Sequence, residues 1–331
     1  LSLNISPLDD IKVHAFCEFL LQRLNKSFKE ILACCVQGNI RRLQELIRTG
    51  VYLQARDHKG HTPLHQACIH SNLACIELLL KQGIPIDTPD NFGYTSLQLA
   101  LIHHKFDVYQ FLLKNKADIT ARDKEGKNIM HHAAFEGDAL LVDMLIKNHS
   151  ELVSVLDNEK NSVFHYAANK KDPAVMALLL TKPSLVLLDH QNNLGLRPWH
   201  FAAAHGNNLV LELLIDKKPD LIHSICKNKG TPLHYASANG RVDCIHLLLN
   251  HGSDINAKGI CRMSPIELAA RCNHLSAINA LRTRGAKLSI PSASLFALQN
   301  RKLQILKASY SKLDYPDSIY YQEDADEWIG F

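Results

Sequence analysis

The sequence predicts an all-α solenoid: helix-turn-helix units in series, joined by extended finger loops and closed by helical caps. Three observations predict it. The run Thr62-Pro63-Leu64-His65-Gln66-Ala67 returns as Thr231-Pro232-Leu233-His234-Tyr235-Ala236, with looser copies starting at Thr95, Asn128, Ser162, Arg197 and Ser264. Consecutive starts are 33, 33, 34, 35, 34 and 33 residues apart, the mark of a repeat architecture. An apolar triad of a second helix follows nearly every copy, as in Leu78-Leu79-Leu80, Phe111-Leu112-Leu113 and Leu247-Leu248-Leu249. No single unit buries its own apolar face, so stacking has to do it.

Each element has a local reason. At the start, Ser6-Pro7 opens an amphipathic helix with Ile11, Phe16, Phe19, Leu20 and Leu24 on one side, and residues 1–28 read as an N-terminal capping helix. Residues 29–290 read as the repeats, beginning with a degenerate copy around Ala33–Gly38 and Leu43–Ile47. Thr62 is a good N-cap, its hydroxyl accepting from an amide of the first turn, and Pro63 sits where a missing amide costs nothing. His65 stands three residues after the cap. Two copies carry Gln98 after Thr95 and Glu267 after Ser264 instead, which is the capping box. The third position therefore asks for a polar group that bonds back to the helix start, and the repeated histidines read as structural. Ala67, Ala100, Ala133, Ala167, Ala202, Ala236 and Ala269 are small enough to let neighbouring helices approach. Gly83 and Gly252 suit a left-handed residue just past the second helix, before an extended finger. After Pro291, residues 291–310 read as a C-terminal capping helix and 311–331 as an acidic flexible tail.

The period and the Thr-Pro-Leu-His-x-Ala core resemble the ankyrin repeat, across roughly residues 29 to 310 and about eight to nine copies. That resemblance implies a solenoid of ankyrin-like repeats. It also implies partners at the fingertips and the exposed face of each first helix, lining a concave groove.

Composition narrows the function classes. The 331 residues are 46% hydrophobic with a net charge of +4, ordinary for a globular protein and too apolar for a disordered one. No apolar run approaches the roughly 18 residues of a membrane helix, and Leu1 to Asp10 has no signal-peptide character, so no membrane insertion is expected. Nine cysteines without paired spacing point to free thiols in a reducing compartment, hence a cytoplasmic location. Six acids and one lysine give residues 311–331 a net −5, leaving +9 on the rest.

Chemistry-bearing residues are numerous but not assembled. A zinc site between His61 and His70 is conceivable, yet no Cys-x-x-Cys or His-x-x-x-His set exists, and scattered histidines on a scaffold are the simpler reading. No cysteine has the orienting neighbours a nucleophile needs. No Gly-rich phosphate loop is present, and the basic excess forms no stripe with aromatics, so neither a small-molecule substrate nor nucleic acid is expected. No catalytic residue, metal or cofactor is assigned.

The function expected is non-catalytic: a scaffold that binds another protein. By register, the partner-binding candidates are His61, Phe92, Tyr94, Lys124 and Leu196 on the fingers, and His70, Ile102, His103, Phe135, Glu136 and His205 on the first helices. Phe92, Tyr94, Ile102 and Phe135 would form an apolar-aromatic patch, and exposed aromatics make good anchors. Two alternatives stand beside it. The acidic block before a hydrophobic C-terminus looks like the translocation signals of effectors that intracellular bacteria inject, which would place the protein in a host cytosol. A cryptic Cys/His or metal-dependent enzyme is the other.

Overall fold

A computed structural model describes residues 27–181 and 184–287 of the chain. Most of the expected N-terminal cap, the C-terminal cap 291–310 and the tail 311–331 lie outside them. The described residues are helical with no strand, and they form two units that meet in sequence at Pro198 and Trp199.

The first unit holds α1 (27–37), α2 (Ile40–Arg48), α3 (Pro63–Ile69), α4 (Leu73–Lys81), α5 (Ser96–Ile102), α6 (Phe106–Lys114), α7 (Ile129–Glu136), α8 (Ala139–Asn148), α9 (Val163–Ala168) and α10 (Ala174–Leu180). First helices pack on first helices: α3 against α5, α5 against α7, α7 against α9. Each also packs on its own second helix, as α3 does on α4 and α5 on α6. Ala67, Ala100, Ala133 and Ala167 are buried at these crossings, where a larger side chain would hold the helices apart.

The second unit holds the body of α11 (Pro198–His205), then α12 (Asn208–Lys217), α13 (Pro232–Ala238), α14 (Val242–Asn250), α15 (Pro265–Arg271) and α16 (Leu275–Thr283). Here α13 packs on α14 and α15, and α14 on α12 and α16. In every apolar triad the middle residue is buried: Leu79, Leu112, Leu145, Leu179, Leu214 and Leu248. A 3.6-residue turn points only part of such a triad inward, and each buried leucine contributes about 1.5–3 kcal/mol.

The expected capping boxes are present. Thr62 with His65, Thr95 with Gln98, Asn128 with His131, Ser162 with His165, Thr231 with His234 and Ser264 with Glu267 each close one. Gly83 (φ 78°) and Gly252 (φ 90°) take the left-handed conformation expected of them. One feature departs from a uniform extended finger. The three longer steps in the sequence contain 3₁₀ turns, at Ser150–Ser154, Ser184–Asp189 and Pro219–His223. The extra residues are taken up there as a tight turn, and the capping boxes at Ser162 and Thr231 keep their register.

Candidate protein-binding face

In the first unit the fingers are built on one recurring side chain, five residues before each N-cap: Asp57, Asp90, Asp123, Asp157 and Asn192. Asp90 Oδ1 accepts from the amides of Phe92 (2.8 Å) and Tyr94 (2.9 Å). Asp123 Oδ1 accepts from Glu125 (2.9 Å) and Lys127 (2.8 Å), and Asn192 Oδ1 from Leu194 (3.0 Å) and Leu196 (2.9 Å). The second carboxylate oxygen ties the finger to its helix: Asp123 Oδ2 lies 2.9 Å from His132 Nε2, and Asp157 Oδ2 accepts from the Tyr166 hydroxyl at 2.5 Å. Fingers then join one another through backbone bonds, from Asn91 N to Lys59 O (3.0 Å), Lys124 N to Phe92 O (3.2 Å), Asn158 N to Glu125 O (2.9 Å) and Asn193 N to Glu159 O (2.9 Å). Gly93 (φ 99°) permits this approach, since a Cβ there would lie 2.6 Å from Lys124 N.

The capping histidines lock the same fingers from below. His65 Nδ1 accepts from Thr62 N at 3.0 Å, which leaves Nε2 protonated and facing Tyr94 O at 3.3 Å in the next finger. His165 repeats this with Ser162 N (3.1 Å) and Leu196 O (3.1 Å). Burial holds His65, His131 and His165 down at about 4, because a charged ring there would lose its water. These rings are structural ties, as their register implies.

Against this frame the candidates separate. Phe92 is 36% exposed on its finger, and Lys124 is exposed on the next. His70 and Glu136 are exposed at first-helix ends, while Ile102, His103 and Phe135 are half-buried beside them. Lys170 Nζ lies 4.9 Å from the centre of the Phe135 ring, and the Tyr166 ring centre lies 6.3 Å from it. Burial, then Lys105, lowers the pKa of His70 and His103. His205 is half-buried and belongs to the second unit.

Three candidates are corrected. Tyr94 is 9% exposed, with its hydroxyl 3.2 Å from His132 Nδ1; Leu196 is 2% exposed; and His61 is buried between the carboxylates of Asp57 (3.6 Å) and Asp90 (3.4 Å). All three stand immediately before an N-cap. Their carbonyls close the finger hairpin by accepting from Asp90 N, Asn192 N and Asp57 N, and the side chains are folded underneath. The residues one and two places after the aspartate face outward instead.

The aspartate ladder has a sequence signal of its own, a fixed spacing of five residues before each cap. Among the described residues, no group of three or more His, Cys, Asp or Glu side chains is placed to hold a metal ion. Burial raises the thiol pKa of Cys35, Cys68 and Cys244, opposing thiolate formation. No described helix is long and apolar enough to cross a membrane.

Comparison with known proteins fits this architecture. The chain is 33% identical over 88 residues to serine/threonine-protein kinase VIK of Arabidopsis thaliana, covering 26% of this chain and 19% of the kinase. It is 31% identical over 93 residues to ankyrin repeat and IBR domain-containing protein 1 of Mus musculus, 28% of this chain and 8% of that protein. It is 32% identical over 104 residues to the human transient receptor potential cation channel subfamily A member 1, 30% and 9% of the two. The chain thus matches less than a fifth of the length of each of these relatives. The family profile described as ankyrin repeats (3 copies) matches residues 31–123, 164–259 and 199–292. With more than half the chain matched, and with the capping boxes, buried alanines and fingers in that register, the chain belongs to the ankyrin-repeat family.

Proposed function

We propose that the protein is a non-catalytic scaffold that binds another protein through the fingers and first-helix ends of its first unit. One observation carries the reading. Phe92 presents an apolar ring at 36% exposure on a finger whose backbone is fixed by Asp90 and bonded to Lys124. An anchor on a preformed support loses little entropy when it docks. Ile102 and Phe135 stand on α5 and α7, flanked by His70, His103, Lys124 and Glu136 as a polar rim. An aromatic centre with a polar rim is the composition of protein interfaces. The burial that raises the thiols and neutralises the capping histidines supports a structural rather than a catalytic use of both. Unpaired, buried thiols also suit a reducing cytosol.

The test is a Phe92→Ala/Phe135→Ala double variant. Truncating two anchors should weaken affinity for a captured and purified partner at least about 30-fold. The melting temperature should fall by no more than about 5 °C, since Phe92 is exposed and Phe135 only half-buried. Undiminished binding would remove this face from the interface, and a collapsed melting temperature would assign both rings to the core.

A further inference from the structure

Arg271, the last residue of α15, is 4% exposed. Its Nε and Nη2 have no hydrogen-bond partner among the described residues, and Nη1 has the Met263 sulfur at 4.0 Å, a weak acceptor. The carboxylate one turn back does not serve it: Glu267 Oε2 accepts from Ser264 N at 2.7 Å and from Lys258 Nζ at 2.9 Å. A guanidinium stays charged at any physiological pH, and a buried one is costly without a counter-charge. The fold therefore holds a cation ready for a carboxylate from outside the described residues.

The surroundings favour one source. Residues 258–287 carry Lys258, Arg262, Arg271, Arg282, Arg284 and Lys287 against the single acid Glu267, a net +5. Residues 311–331 carry six acids and one lysine, a net −5. The 26 residues between Lys287 and Asp314 could span roughly 90 Å fully extended, so reach is no obstacle. A tether of that kind also supplies its ligand at an effective concentration of about millimolar. We propose that the acidic segment 311–331 docks on the basic end of the second unit, one of its carboxylates pairing with Arg271. The proposal does not depend on the partner-binding face of the first unit.

The test uses the full-length chain in two backgrounds: the natural tail, and a tail with Asp314, Asp317, Glu323, Asp324, Asp326 and Glu327 changed to their amides. A synthetic peptide of residues 311–331 is titrated into each. The amide-tailed chain should bind the peptide, with affinity falling at least tenfold between 50 and 500 mM salt, about the loss expected of several released ion contacts. The natural chain should bind it at least tenfold more weakly, its own tail competing. Arg271→Met in the amide-tailed background should lower affinity at least tenfold. Arg271→Lys, which keeps the charge but not the fork, should lose part of that, and it carries the test if the methionine variant melts early. Absence of peptide binding, or binding indifferent to both Arg271 variants, overturns the proposal. Equal affinity of the two backgrounds also overturns it, and if a polyglutamate of equal length then binds as well, the site belongs to a foreign acidic segment.

Discussion

The fingers of the two units share one backbone and differ in one side chain. In the first unit Asp123 N bonds Lys127 O and Gly126 N bonds Asp123 O; in the second, Cys226 N bonds Gly230 O and Lys229 N bonds Cys226 O. Gly259 with Met263 and Arg262 makes the same pair of bonds. Where the first unit has Asp57, Asp90, Asp123, Asp157 and Asn192, the second has Cys226 and Gly259. The turn therefore forms without an aspartate. The aspartate adds bonds to the inner amides and to the helix, so it stiffens a finger whose existence rests on backbone pairing and stacking. At the left-handed position three residues on, the first unit has Gly60, Gly93, Gly126 and Gly195 but also Lys160 (φ 59°), and the second has Lys229 (φ 60°) and Arg262 (φ 61°), with Cys261 (φ 54°) beside it. The second unit's fingers lack the aspartate tether, and the proposed binding anchors sit on the other set.

Acid should have the largest effect, and it should weigh on the first unit through three capping histidines, while His234 of the second unit is lowered by burial in the same direction. His65, His131 and His165 of the first unit are held at about 4, against 6.5 when unfolded. A lowered histidine pKa means that the neutral ring stabilises the fold. That stability is fully present above pH 6.5 and is lost as pH falls from 6.5 to 4, because the unfolded chain takes up protons that the folded chain refuses. Each histidine costs about 1.4 kcal/mol per pH unit in that window. Asp90, whose pKa is lowered despite burial by His61 and the amides of Tyr94 and Phe92, adds its own loss only below the ordinary carboxylate range. Hydrogen exchange at pH 7 and pH 4.5 should show amides of α3, α7 and α9 losing protection. Gln98 already fills the position without titrating, accepting from Thr95 N at 3.0 Å and donating to Ala121 O at 2.9 Å. A His65→Gln/His131→Gln/His165→Gln chain should therefore keep its protection down to about pH 4.5; if it is as acid-labile as the parent, the ladder is not the cause.

Next in size is the aspartate itself. Asp123→Ala removes two amide bonds and the contact with His132, and should cost about 3 kcal/mol in chemical denaturation, since bonds to a charged acceptor contribute about 1.5–3 each. Cys226→Ala at the matching position should cost less than about 1 kcal/mol, losing mainly a contact of Sγ with the Tyr235 hydroxyl at 3.3 Å. Equal losses would break the contrast between the units.

These differences show which parts of the molecule a sequence displays. The period, the caps and the buried alanines are legible because each depends on residues within one or two turns of each other, as Thr62, Pro63 and His65 do. The partner of His65 Nε2 is a carbonyl of the next finger, 29 residues on, and no local pattern reveals it. Tyr94 and Phe92 read alike as aromatic finger residues. Their fates diverge because the residue before the cap pairs through its carbonyl with Asp90 N and turns its ring to His132, a contact across 38 residues. The aspartate stands at a fixed distance before each cap, but no local pattern distinguishes it from any other polar finger residue. Its chemistry emerges once its oxygens are seen to face inward amides.

The smallest effect is the sharpest test, because it asks the second unit to become like the first. Cys226 lies nine residues before Tyr235, as Asp157 lies before Tyr166, and the surrounding backbone bonds are the same. Cys226→Asp should let a carboxylate accept from the Tyr235 hydroxyl and from the inner amides of the finger, as Asp157 does from Tyr166 and Asn161. Opposing this is the desolvation of a new charge at a site that is already buried. If the amides compensate it as they do at Asp157, the gain should be about 1 kcal/mol, raising the melting temperature by about 2–4 °C and slowing exchange at Gly230. A fall in melting temperature would mean that the first unit's fingers need more than their aspartates, and the bonds between fingers, seen from Asn158 N to Glu125 O but not between 226–230 and 259–263 among the described residues, would then be the missing part.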